Sequence, residues 1–157
     1  MLKTPEFIEW EYLTHHSDGS EGALQALRDQ QDWLHTGDSD LEIALPLHEL
    51  SACAAGTGYY EGLPRDLRQA QLERIADTAQ ALYPRLRLFL FDARLVYSAP
   101  VTVFGPRLAV IYVGKFYLAF REAERIRIIS DHFDWLLREA RLDGKAVPDH
   151  IRALPVA

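Results

Sequence analysis

The sequence predicts an α+β domain with a central mixed, largely antiparallel sheet of about five or six strands and helices packed on it. Three observations carry that class. An apolar stripe at helical spacing runs from about Pro64 to Leu82 through Leu67, Leu72, Ile75 and Ala79. A block of short strand-like segments broken by proline and glycine fills Leu86 to Phe120. A second amphipathic stretch, "EAERIRIISDHFDWLLREAR", follows directly. Helices, one strand, a helix, a run of strands and a closing helix make the order of an α+β domain.

The elements follow in chain order. "TPEFIEWEYLTHH" opens as a helix: Thr4 can cap, Pro5 suits the first helical position, and Glu6 meets the positive helix end. Ser20 caps a second helix, "EGALQALRDQQDWL", and these two helices over 1–36 form an appendage to a domain spanning 37–157. "LEIALPLHEL" alternates at Ile43, Leu45 and Leu47 and reads as a strand, with Pro46 unsuited to a central position because it lacks the ladder N–H. "SACAAGTGYYEGLPRD" is small and glycine-rich and reads as the longest irregular stretch. The helix at 64–82 comes next and Pro84 stops it. "LRLFLFD", "RLVYSAP", "VTVFG", "RLAVIYVG" and "KFYLAF" read as consecutive strands joined at Pro100, Gly105-Pro106 and Gly114-Lys115. In the closing amphipathic segment Ser130 offers a cap for a separate last helix, and "LDGKAVPDHIRALPVA" is a polar turn with a short terminal helix.

Composition narrows the function classes. The 157 residues suit one domain with a substantial core, and 48% hydrophobic with 25% charged is a globular profile. Lys and Arg total 17 against 23 Asp and Glu, a net charge of -6, which disfavours a phosphate-coated partner. Cys53 is the one cysteine, so neither an intrachain disulfide nor a cysteine zinc site is available. No apolar leader and no apolar run of membrane length occurs, and a cytoplasmic location is expected.

Candidate chemistry is sparse. His15-His16 reads as a polar helix end. His48-Glu49 follows a strand and leads into a small-residue loop, where His48 could act as a base on Ser51 or Cys53. Tyr59-Tyr60 offers two apolar ring faces with hydrogen-bonding tips for recognition. Asp131, His132 and Asp134 read as a solvated face around a buried Phe133, with His132 pointing elsewhere, and Trp10, Trp33 and Trp135 as packing anchors.

Residues 86–140 resemble the C-terminal part of a phospholipase D-type domain. The likeness rests on "LRLFLFD", on "RLVYSAPVTVFGPRLAVIYVG" and on the closing helix with "HFDWL". Laying that family's H-x-K-x-x-x-x-D motif on the chain puts Ser98 at the histidine, Pro100 at the lysine and Gly105 at the aspartate. The resemblance therefore implies a non-catalytic relative. "LPLHELSACAAGTGYYEGLPRDLR" and "YSAPVTVFGPRLAVIYVGKFYLAF" are also similar to segments that follow a phage-repressor-type helix-turn-helix domain in bacterial transcription regulators. The implied role is effector sensing and homodimerisation, with no cofactor and no metal. DNA would be contacted only through a separate helix-turn-helix domain, since "EFIEWE" and "DQQDW" are too acidic for recognition helices. His48, Tyr59, Tyr60, Tyr97, Ser98 and Thr102 are the expected ligand-binding residues. A small hydrolase or transferase using His48 with Ser51 or Cys53, and a protein–protein adaptor, are the alternatives.

Overall fold

The computed structural model describes residues 2–15, 40–113 and 116–157. Along them run α1 (Pro5–His15), β1 (Leu41–Pro46), α2 (Leu47–Ala55), a 3-10 turn (Gly58–Tyr60) and α3 (Arg65–Ala81). Then come β2 (Leu86–Phe91), β3 (Val101–Phe104), β4 (Leu108–Val113), β5 (Phe116–Phe120), α4 (Ala123–Arg138), β6 (Leu142–Asp143) and α5 (Ala146–Arg152). The class is α+β. The strands, however, form two three-stranded sheets, ordered β1-β2-β6 and β3-β4-β5, and not one sheet.

In the first sheet β1 runs parallel to β2 in unbroken register from Leu41↔Leu86 to Pro46↔Phe91. A parallel pair needs a crossover, which α2 and α3 supply. Among the described residues β1 lies at the edge of this sheet, and Pro46 ends it. Antiparallel β6 closes the other side of β2. The second sheet is a meander of antiparallel pairs, with Gly105 taking φ 53 in the turn between β3 and β4.

Central β2 builds the core. Leu86, Leu88 and Leu90 alternate onto one face and are packed with Leu50 and Cys53 of α2, Leu72, Ile75 and Ala76 of α3, and Val147 and Ile151 of α5. Phe91 packs instead with Val96 and with Leu136 of α4. Helix α4 touches strands of both sheets and so links them.

Thr4 caps α1 as its sequence predicts: its Oγ1 accepts from the Phe7 amide at 3.1 Å. Phe7 and Ile8 are buried. The Gln71 side chain of α3 ties this end down twice, accepting from the Thr4 amide and donating to the Leu2 carbonyl, both at 2.8 Å. The expected helix after Ser20 and the expected boundary between 36 and 37 lie outside the described residues.

Three expectations are corrected. The expected strand "LEIALPLHEL" ends at Pro46, and helix α2 takes Leu47–Ala55, including the start of the stretch read as irregular from Ser51, with Gly56 capping it in the left-handed region at φ 67. "RLVYSAP" is not a strand. Asp92 folds the chain into a turn by accepting from the Arg94 amide at 3.0 Å, and 96–100 belongs to no strand, although the Pro100 carbonyl accepts from the Tyr112 amide of β4 at 3.0 Å. Ser130 starts no helix: α4 is continuous, and its hydroxyl donates back to the Ile126 carbonyl at 2.8 Å.

One buried cation organises the junction of α2, α3 and the chain's end. Arg68 is 8% exposed, and its Nε, Nη1 and Nη2 donate to the carbonyls of Leu63 (3.1 Å), Ala54 (2.6 Å) and Ala157 (2.7 Å). Gly56 packs directly on it: a Cβ there would lie 2.9 Å from the guanidinium carbon.

Among the described residues no helix is long and apolar enough to cross a membrane.

Candidate functional site

A cleft of about 450 Å³ opens between α1, the end of β1, α2, the 3-10 turn and α3. Leu45, Leu50, Leu72 and Ile75 give it an apolar wall. Phe7, Tyr59 and Tyr60 supply rings, and Lys3, Glu11 and Glu49 supply charge. Local sequence places each group. Thr4 and Pro5 start α1 so that Phe7 and Glu11 fall on one helix face four residues apart, with Lys3 just before the helix. Gly56 and Gly58, both with positive φ, turn the chain after α2 and present the two tyrosines.

The rings pack edge to face. Tyr59 and Tyr60 have centroids 5.5 Å apart at 85°, and Trp10 meets Tyr59 at 6.2 Å, also at 85°. Phe7 lies 6.1 Å from Tyr60. Both phenols donate to carboxylates: Tyr59 to Glu11 Oε1 at 2.7 Å, Tyr60 to Glu49 Oε2 at 3.3 Å. Burial, then these carboxylates, hold both hydroxyls protonated well above the ordinary phenol range. Lys3 Nζ forms a two-pronged bridge to Glu11 at 2.6 and 2.7 Å and stands 5.4 Å over the Phe7 ring.

The six expected ligand residues do not converge. Tyr59 and Tyr60 line the cleft; His48, Tyr97, Ser98 and Thr102 do not. His48 projects from the exposed side of α2, with Nε2 3.6 Å from Glu49 Oε1. Tyr97 is 82% exposed, and Thr102 is half-buried on β3. Ser98 lies in the irregular segment before β3 and engages α4: His132 Nε2 is 3.0 Å from its Oγ. Ser98 Oγ also lies 2.8 Å from the Ala99 carbonyl oxygen, and the imidazole tautomer decides whether the hydroxyl proton goes there or to His132. The contact ties the irregular segment before β3 to α4. The His132 ring meets Trp135 at 5.6 Å. Phe133 is half-buried. His15 closes α1, while His16 and Trp33 lie outside the described residues.

The groups suggested for hydrolysis are not assembled. Ser51 donates to the Leu47 carbonyl at 3.3 Å. Burial pushes the Cys53 thiol up to about 11, with Glu49 adding to the effect and Arg68 opposing it. A thiol with that value is un-ionised at neutral pH and is a poor nucleophile. Alkylation of Cys53 by iodoacetamide at pH 8 is therefore expected to run at least tenfold slower than that of free cysteine, on the thiolate fraction alone. A rate equal to free cysteine would contradict the buried, protonated thiol. Among the described residues no three His, Cys, Asp or Glu side chains gather as a metal site.

The sequence reading missed Lys3, Phe7, Glu11 and Glu49 as partners of the tyrosines. The i, i+4, i+8 spacing of Lys3, Phe7 and Glu11 was visible, but their approach to Tyr59 spans 48 residues from Glu11 and has no local signal. No family model matches the chain, and no curated protein and no solved structure matches it.

Proposed function

We propose that this chain is a non-enzymatic effector-sensing and dimerisation domain of a bacterial transcription regulator, of degenerate phospholipase D-like type. The cleft around Tyr59 and Tyr60 carries the reading. It joins an apolar wall to a few placed polar groups, which is the make-up of a small-molecule pocket. Ser98, Pro100 and Gly105 supply neither the histidine nucleophile nor the phosphate-binding lysine of the family motif. DNA contact in this reading belongs to a separate helix-turn-helix domain.

The dimerisation half rests on the second sheet. Phe104 and Tyr112 on one face, and Val113, Phe116 and Leu118 on the other, are all exposed. Among the described residues β5 pairs only with β4, leaving an apolar edge open. A second copy of the chain would cover these groups.

Native mass spectrometry after incubation with a small-metabolite extract tests the effector role. The protein is expected to retain a ligand of defined mass that Tyr59→Ala loses. Retention by both proteins, or by neither, would remove the cleft from the proposal. Sedimentation velocity in the same buffer is expected to show a dimer, which a charged residue at Phe116 separates.

A further inference from the structure

The geometry points to an organic cation as the ligand of this cleft: a primary ammonium group on a small aromatic body. This inference rests on the effector reading above and adds the chemistry of the ligand. Charge comes first. Lys3 opposes Glu11 and Glu49, so the lining carries one more negative than positive group. Lys3 is committed to Glu11 through both carboxylate oxygens. Gln71 is committed at both ends of its amide to α1. Both tyrosine hydroxyls already donate to the carboxylates. Among the described residues the one cationic side chain of the lining is thus already neutralised by Glu11, and the Glu49 carboxylate keeps acceptor capacity. That carboxylate receives one long bond from Tyr60 and has His48 alongside at 3.6 Å.

The chain itself provides the second observation. The Lys3 ammonium lies against a carboxylate that is only 12% exposed and over the face of Phe7. This is an alkylammonium bound by the same two kinds of group that face a ligand: a carboxylate and an aromatic ring. Glu49 is a second carboxylate of the cleft beside an aromatic residue, accepting from the Tyr60 hydroxyl, and no second lysine lines the cleft among the described residues. The apolar wall at Leu50, Leu72 and Ile75 would take an uncharged ring and would not solvate an ion, so the charge belongs at the Glu49 end.

Titration calorimetry with three probes of one shape tests this: 2-phenylethylammonium, 2-phenylethanol and 3-phenylpropionate. The full chain and Glu49→Gln, which alters an exposed carboxylate and leaves the core intact, are compared. The ammonium probe is expected to bind on the order of tenfold more tightly than the other two, from one charge-assisted contact. Glu49→Gln is expected to bring it to the level of the alcohol, with an unchanged melting temperature. Equal binding of alcohol and ammonium overturns the cation preference and leaves the effector reading standing. Tighter binding of the carboxylate, or an ammonium affinity indifferent to Glu49→Gln, overturns it also. Binding of none of the three at millimolar concentration overturns it too, while the mass-spectrometric comparison of Tyr59→Ala judges the effector reading separately.

Discussion

Arg68→Met is expected to destabilise the protein by about 3 kcal/mol, because it removes charged donors from carbonyls that lie in a buried junction. The methionine fills similar space, so the loss reports the hydrogen bonds more than a cavity. The Ala54 and Leu63 carbonyls sit where α2 ends and α3 begins, and the Ala157 carbonyl brings the end of the chain to the same guanidinium. For a chain of this size that loss corresponds to a fall in melting temperature of roughly 6–12 °C. Arg68→Lys is expected to recover only part of it, since one ammonium cannot reproduce a three-way fork. Gly56→Ala attacks the same guanidinium from the other side and adds left-handed strain at φ 67. The two substitutions share a partner, so their combined cost is expected to fall short of the sum. Urea denaturation of the four proteins checks this. A loss under roughly 0.5 kcal/mol for Arg68→Met, the range of an ordinary surface change, would show that the carbonyls are satisfied without it.

Leu90→Ala is expected to cost about 3–4 kcal/mol, the range for emptying a leucine site in a packed core. Leu90 is fully buried on the central strand of the first sheet, opposite Leu45 on one neighbour and Leu142 on the other. Relaxation is restricted there, because ladders on both sides hold the backbone. Leu95→Ala is the matched control: Leu95 is 68% exposed in the turn that follows β2, and a change within about 0.5 kcal/mol is expected. Chemical denaturation of both variants gives the comparison. Equal losses at the two positions would contradict the placement of β2 at the centre of the core.

Local chemistry explains why much of the fold was legible in the sequence. Thr4, Pro5 and Glu6 mark the start of α1 and the cap forms as they predict. The stripe of α3, the alternation of β2 and the glycine turn between β3 and β4 are each set by neighbours within a few residues. The misreadings came where non-local pairing decides. The alternation of "IALPLHEL" runs smoothly past Pro46, but β2 ends at Phe91 and offers β1 no partner beyond it, so Leu47 enters a helix. "RLVYSAP" has strand-like side chains, yet the Asp92 turn removes it from both sheets. Division of six strands into two sheets depends on which edges meet, and alternation does not encode that. The site shows the same split. Tyr59 and Tyr60 between glycines could be read either as recognition residues or as core packing; Tyr59 is exposed while Tyr60 packs against the core, and their carboxylate partners come from α1 and α2. Ser98 and His132 stood out singly, but 34 residues separate them.

Docking of α1 has a thermodynamic consequence. Lys3, Phe7 and Glu11 form one wall of the cleft, and Leu50, Leu72 and Ile75 form the other. An occupant bridging the two walls must raise the free energy needed to peel α1 away, and a pull on α1 must weaken the occupant by the same amount. The Gln71 clamp sets the resting point of that equilibrium. If the proposed ligand occupies the cleft, protease resistance of α1 would gauge its occupancy, and α1 would be the element through which a bound molecule acts mechanically.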